Sequence, residues 1–141
     1  LGDVYKRQVK YGINRAVLIT TISVIFFFIL ASNILPIFSS NPLVIDIGVT
    51  YLKIIILVYP AVGISVICSR VCQALGQGMP LLITTITRVI ILTAPLSYYF
   101  YFTGRPIEWV WFSQVFAILI AATISFAWMR YYFRKLNIVR N

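Results

Sequence analysis

Apolar positions in this chain run together in long stretches rather than alternating with polar ones. No charge interrupts Ala16 to Ile45, nor Val110 to Met129. Two further stretches, Ile47 to Gln73 and Pro80 to Phe102, are equally apolar apart from Lys53, Arg70 and Arg88. A hydrocarbon core of about 30 Å needs roughly 20 helical residues, which each stretch supplies. The pattern predicts an all-α integral membrane protein with four transmembrane helices, at about residues 15–38, 46–75, 80–102 and 109–131, within a lipid bilayer.

Composition removes the main alternative. Hydrophobic residues make up 61% of the chain and charged ones 11%, against roughly 45 to 50% and 25% in soluble domains. The net charge of +9 does not point to nucleic acid, because the cations sit at the ends of spans rather than on one solvated polar face. Lys10, Arg15, Arg70, Arg130, Arg134, Lys135 and Arg140 flank the first, middle and last connections. The other two connections carry only Lys53 and Arg105, each with an acid, Asp46 or Glu108. By the positive-inside rule both termini are expected in the cytoplasm, with residues 137–141 as a cytoplasmic tail. The aromatic residues fit this layout. Tyr98, Tyr99, Tyr101, Trp109 and Trp111 gather at the expected outer end, and Trp128, Tyr131 and Tyr132 at the inner one.

Helix signals refine the spans. Asn14 is a candidate N-cap for the first helix; Ser39 to Pro42 mark a turn, and the second helix is expected to start near Pro42 with Asp46 in its first turn. Pro60 removes a backbone hydrogen bond in mid-membrane and predicts a kink. Gly76 to Met79 form a turn, Pro80 restarts the chain, and the third helix meets Pro95. Residues 1–8 stand apart. Asp3 to Gln8 reads DVYKRQ, which looks like the translation of a sequencing-library adapter, so this start is expected to be a scar on a protein that extends upstream. The membrane region proper is then 9–136.

Few of these residues can do bond chemistry. There is no histidine, and outside the suspected scar the acids are Asp46 and Glu108 alone, both at the expected outer interface. Neither a nucleophile with its base nor a set of metal ligands can be assembled, so an enzyme is not expected and no cofactor is implied. Cys68 and Cys72 lie four apart on one helix face and read as small packing residues, since two thiols alone cannot complete a zinc site. Ala61, Ser65 and Ser69 recur every fourth residue on the second span, and Ala117, Ala121 and Ser125 on the fourth. Small residues at that spacing let helices approach closely in lipid.

Arg88 is the charge set well inside a span, about 12 Å along the helix from Pro80 at 1.5 Å per residue, with Thr84 one turn below on the same face. An intramembrane cation should line water, pair with carbonyls, or snorkel to the interface. Gln73, Gln114 and Asn33 are the amide side chains in or near spans. Arg88, Thr84, Gln73 and Gln114, with the helix-interrupting Pro60 and Pro95, are the candidate cavity or gate residues.

Ordered motifs then give a resemblance. Leu35 to Pro42 (LPIFSSNP), Tyr51-Leu52, Tyr59-Pro60, Gln73 to Gly78 (QALGQG), Thr87-Arg88 and Pro95 to Tyr98 (PLSY) are together similar to the multidrug and toxic compound extrusion (MATE) family. Trp109 to Trp111 and the basic end of the last span resemble that family's final helix. The resemblance implies that the four spans are helices nine to twelve of a twelve-helix transporter, part of a six-helix C-terminal lobe, whose partners are the missing N-terminal helices and a small-molecule substrate. It also implies export of cationic or amphipathic compounds in exchange for Na+ or H+, by alternating access, across the prokaryotic plasma (inner) membrane. Some members place a coupling acid within the tenth helix. The corresponding segment here has only Asp46, at its end, so the coupling ion is expected to bind outside this fragment, as in the DinF-like branch. A lipid-linked oligosaccharide flippase of the same superfamily is the alternative cargo reading, and a small membrane scaffold the alternative class.

Overall fold

The computed structural model describes residues 2–138, with side chains from 6 to 135. Its elements are α1 (Gly2–Phe38), α2 (Pro42–Ile56), α3 (Tyr59–Ala74), α4 (Met79–Ile86), a π-helical segment (Thr87–Thr93), α5 (Ala94–Phe102) and α6 (Ile107–Ile138). No strand occurs among the described residues. Three stretches, Lys6–Phe38, Met79–Phe102 and Ile107–Lys135, are long and apolar enough to cross a membrane. Pro42–Ile56 and Tyr59–Ala74 make a fourth crossing when the bent pair counts as one span. The all-α membrane fold read from the sequence is therefore the fold observed.

Several boundaries differ from the sequence reading, each for a local reason. Asn14 does not cap α1, because the helix already runs from Gly2 and passes through it. Burial holds that extra length: Val9 and Ile13 pack with Cys68, Cys72 and Met129. The second helix does start at Pro42 as expected, since that residue's missing N–H is no loss in a first turn. Asn41 caps it, its Oδ1 accepting from the Leu43 N–H at 3.0 Å. Asp46 consequently falls just past the first turn. Of the expected tail, residues 137 and 138 continue α6, and residues 139–141 lie outside the described region.

Pro60 does more than kink a helix. With no N–H to give the Ile56 carbonyl, the chain ends α2, tightens through a Val58 N–H bond to Ile55 O at 3.4 Å, and restarts as α3 at an angle of 48°. Pro95 acts differently. The turns before it widen into the π segment, in which the Ala94 N–H reaches back five residues to Val89 O. A π turn inserts one extra residue and shifts the carbonyl that the proline ring would otherwise strike.

The reversals at each end use one device. At Gly76 (φ +80°) the Gln77 N–H bonds Cys72 O and the Gly76 N–H bonds Gln73 O, both at 2.9 Å. At Gly104 (φ +64°) the Arg105 N–H bonds Phe100 O and the Gly104 N–H bonds Tyr101 O. These paired bonds close the last carbonyls of a helix and require a left-handed residue, which only glycine adopts cheaply.

Packing centres on α6. Of its apolar stretch 39% is buried inside the bundle, against 6% for that of α1. It contacts α2, α3, α5 and the π segment, while α1 covers α3 and α2. Along the α3–α6 seam the two small-residue stripes meet: Ser125 Oγ lies 3.1 Å from Ser65 Oγ and 3.4 Å from Ser69 Oγ, with Ala117 and Ala121 buried beside them. Ser97 and Ser113, at 2.9 Å, tie α5 to α6 in the same way. Cys68 and Cys72 are buried free thiols in the seam's apolar end. Elsewhere the surface is apolar, with Ile19, Ile22, Ile29, Phe26 and Phe28 all exposed on α1, an area too large for a water-facing protein.

The seam makes a graded prediction for detergent-solubilised protein. Ser125→Ala loses only interhelical hydrogen bonding and should cost about 0.5 to 1 kcal/mol of unfolding free energy. Ser125→Leu must force α3 and α6 apart and should cost more, about 1 to 3 kcal/mol. Denaturant titration followed by tryptophan fluorescence checks the order, and equal costs would show that the seam is not closely packed.

Candidate functional site: the cavity beside Arg88

Polar side chains within a span need partners, and most hydroxyls here find one on their own helix. Thr84 Oγ1 donates to Pro80 O at 2.7 Å, Thr85 Oγ1 to Leu81 O at 2.8 Å, and Thr20 Oγ1 to Ala16 O at 2.7 Å. This bonding one turn back satisfies the hydroxyl without a neighbour. No buried side-chain nitrogen or oxygen among the described residues lacks a partner.

Against that background Arg88 is unusual. It sits in the π segment, half-buried, and its guanidinium makes no hydrogen bond or ion pair among the described residues. It lines a cavity of about 100 Å³ where α3, α4 and α6 converge, together with Ser65, Ser69, Thr84, Thr85 and Ala121. Such a space admits water, which an unpaired cation in a span requires. A drug-sized ligand needs about 300 to 1,000 Å³. The cavity, which Val66 and Leu81 also line, is thus a small niche with a few polar groups in its wall rather than a complete substrate pocket.

The six candidate residues separate in space. Arg88 and Thr84 come together in the niche, joined by Ser65 and Ser69, which sequence periodicity assigned to packing alone. Gln73 lies near the end of α3, where its Oε1 accepts from Arg70 Nη1 at 2.9 Å. Gln114 is half-buried on α6 and does not line the niche. Pro60 and Pro95 contribute through the backbone, as the α2–α3 break and the π segment.

One residue escaped the sequence reading. Lys53, assigned there to a connection, is eleven residues beyond Pro42, about 16 Å along the axis. It stands in the last turn of α2, against the break, with its Nζ 5.5 Å from the centre of the Phe28 ring. The negative end of the α2 dipole and an aromatic face both favour a cation there. Its position seven residues before Pro60 was the available signal, since a helix broken by that proline ends near it. Arg88 is therefore not the only cation set deep in a span. Metal chemistry has no counterpart: no group of three His, Cys, Asp or Glu that could hold an ion occurs among the described residues.

Apolar spans interrupted in mid-membrane, with polar side chains at the interruptions, make this an α-helical membrane protein with the broken helices that transporters also use. Residues 3–99 match the MatE family, and the chain belongs to that family, whose members are transporters rather than enzymes. The match spans α1 through the first part of α5, so the likeness of Trp109 to Trp111 and the basic end of α6 lies beyond it. No curated protein and no solved structure matches the chain.

The unpaired state of Arg88 has a measurable consequence. Arg88→Met removes an intramembrane charge that nothing in the bundle compensates, so unfolding free energy should rise or stay within about 0.5 kcal/mol. A loss of about 2 kcal/mol or more in the same denaturant assay would mean that the guanidinium holds a hydrogen-bonded partner.

Proposed function

We propose that the chain forms the last four spans of a secondary active multidrug antiporter, which exports cationic or amphipathic compounds in exchange for Na+ or H+ by alternating access. The observation that carries this reading is the MatE match across the first three spans, together with the two helix interruptions, one of which holds Arg88 at the edge of the niche. Broken helices are suited to the rocking of one lobe against another, because their ends can reorient without breaking hydrogen bonds in lipid. The niche is too small for the cargo alone, which fits a cavity shared with helices of a first lobe.

On this reading the bundle lies in a prokaryotic inner membrane. Its basic end, with Lys10, Arg70, Arg130 and Arg134, faces the cytoplasm. The coupling carboxylate belongs to upstream helices, as in the DinF-like branch, since Asp46 and Glu108 both stand near helix starts rather than in mid-span. Residues 1–8 remain assigned to an adapter scar.

Arg88 also favours a second reading, a flippase of the same superfamily whose cargo carries a pyrophosphate. An unpaired cation among hydroxyls suits an anion and repels a cationic drug.

Reconstitution of the complete parent transporter in proteoliposomes separates the two. If it is a drug antiporter, ethidium efflux follows an imposed Na+ or proton gradient, and Arg88→Gln leaves that efflux unchanged or raises it. If the cargo is anionic, Arg88→Gln lowers transport of a lipid pyrophosphate about 10-fold or more, and ethidium does not move. Failure of both cargoes under both gradients would remove the transport proposal.

A further inference from the structure

A larger cavity, of about 470 Å³, opens between the first turns of α1 and the last turns of α6. Its rim carries Lys10, Arg130 and Arg134, with Lys6 of the stretch assigned to the scar beside them, and no acid is among its described lining residues. Its floor is apolar, formed by Ile13, Met129 and Phe133 among others. Arg130 is held over the Phe126 ring, 5.8 Å from its centre, which fixes one guanidinium at the groove's edge. The groove shares no lining residue with the niche beside Arg88, which meets α6 earlier along the chain, at Ala121.

Cations grouped on one rim repel each other unless an anion sits among them. The apolar floor selects the kind of anion. A free phosphate would leave the floor empty, whereas a molecule with a phosphate at one end and hydrocarbon behind it fills both parts. The groove also lies at the end of two spans, the depth at which lipid phosphates meet protein cations.

We propose that this groove is a binding site for one anionic phospholipid, whose phosphate sits among Lys10, Arg130 and Arg134 and whose acyl chain follows Ile13 and Met129. The lipid would join α1 to α6 at an end where the protein supplies cations to both helices and, among the described residues lining the groove, no carboxylate. The site does not depend on the antiporter reading. It needs only the bundle and a leaflet containing acidic lipid.

The test uses the full chain in dodecyl maltoside micelles, titrated with phosphatidylglycerol or phosphatidylcholine and read by native mass spectrometry. Phosphatidylglycerol should remain bound at collision energies that strip phosphatidylcholine. The triple variant K10Q/R130Q/R134Q should lose about 100-fold in affinity for phosphatidylglycerol, roughly fivefold per cation. A charge-matched control, R70Q/R105Q/K135Q, should retain it. Ile13→Trp, which fills the floor and keeps every charge, should also lose binding, and water-soluble glycerol phosphate at millimolar concentration should not compete. Equal retention of the two lipids, equal loss in both triple variants, unchanged binding in Ile13→Trp, or competition by glycerol phosphate would each overturn the proposal.

Discussion

The close approach of α3 to α6 is the contact on which the rest of the bundle depends. In lipid there is no hydrophobic gain from joining two apolar helices, so association rests on close packing and interhelical hydrogen bonds. The seam supplies both at one place, with three serines in mutual reach and alanines above them. Each bond contributes little, about 0.6 kcal/mol by analogy with other membrane bundles. The larger effect is geometric. With α6 and α3 drawn together, α1 can cover α3 on one side with α2 between α1 and α6, while α5 and the π segment lean on α6 from the other.

Once that core is set, the bilayer's demand that every backbone group be satisfied decides where the chain can be irregular. Both interruptions occur at prolines, and each is handled without an orphaned helix end. At the first, one side of the broken backbone is packed against protein, while Leu57 and Tyr59 face outward. Ile55 and Val58 pack with Ile118 of α6, and Val58 is only 6% exposed. At the second, the helix stays hydrogen-bonded by widening its turn. The two in-span cations belong to these places: Lys53 closes the helix that ends at the first, and Arg88 lies within the second.

Much of this was legible in the sequence. Uninterrupted apolar runs specified the spans, Gly76 and Gly104 the reversals, and the four-residue recurrence of Ala and Ser the faces that meet. These signals are local or periodic, so one chain suffices to read them. The misreadings came from longer range. Asn14 has the chemistry of an N-cap, but the burial of Val9 against Cys72 and Met129 carries the helix past it. Lys53 looked like a loop cation because the charge pattern grouped it with Asp46, whereas a helix from Pro42 that breaks before Pro60 carries it to the last turn of α2. The niche joins Ser65 and Ser69 to Arg88 across two turns of chain, a juxtaposition that no spacing within one helix encodes.

Rigid and deformable parts therefore occupy different levels of the same bundle. Toward the basic end, α3 and α6 are locked by small residues and by the cluster of Val9, Cys68, Cys72 and Met129. Above the seam, the α2–α3 joint rests on aliphatic contacts alone, among Ile55, Val58, Ile118, Val62 and Val115. Aliphatic contacts are non-directional, so they tolerate a change of angle that hydrogen-bonded serines do not. A bend of 48° at such a joint can open or close while its two helices keep their own hydrogen bonds. The apolar packing that buries Ile55, Ile56 and Val58 thus holds the joint without fixing its angle through directional bonds.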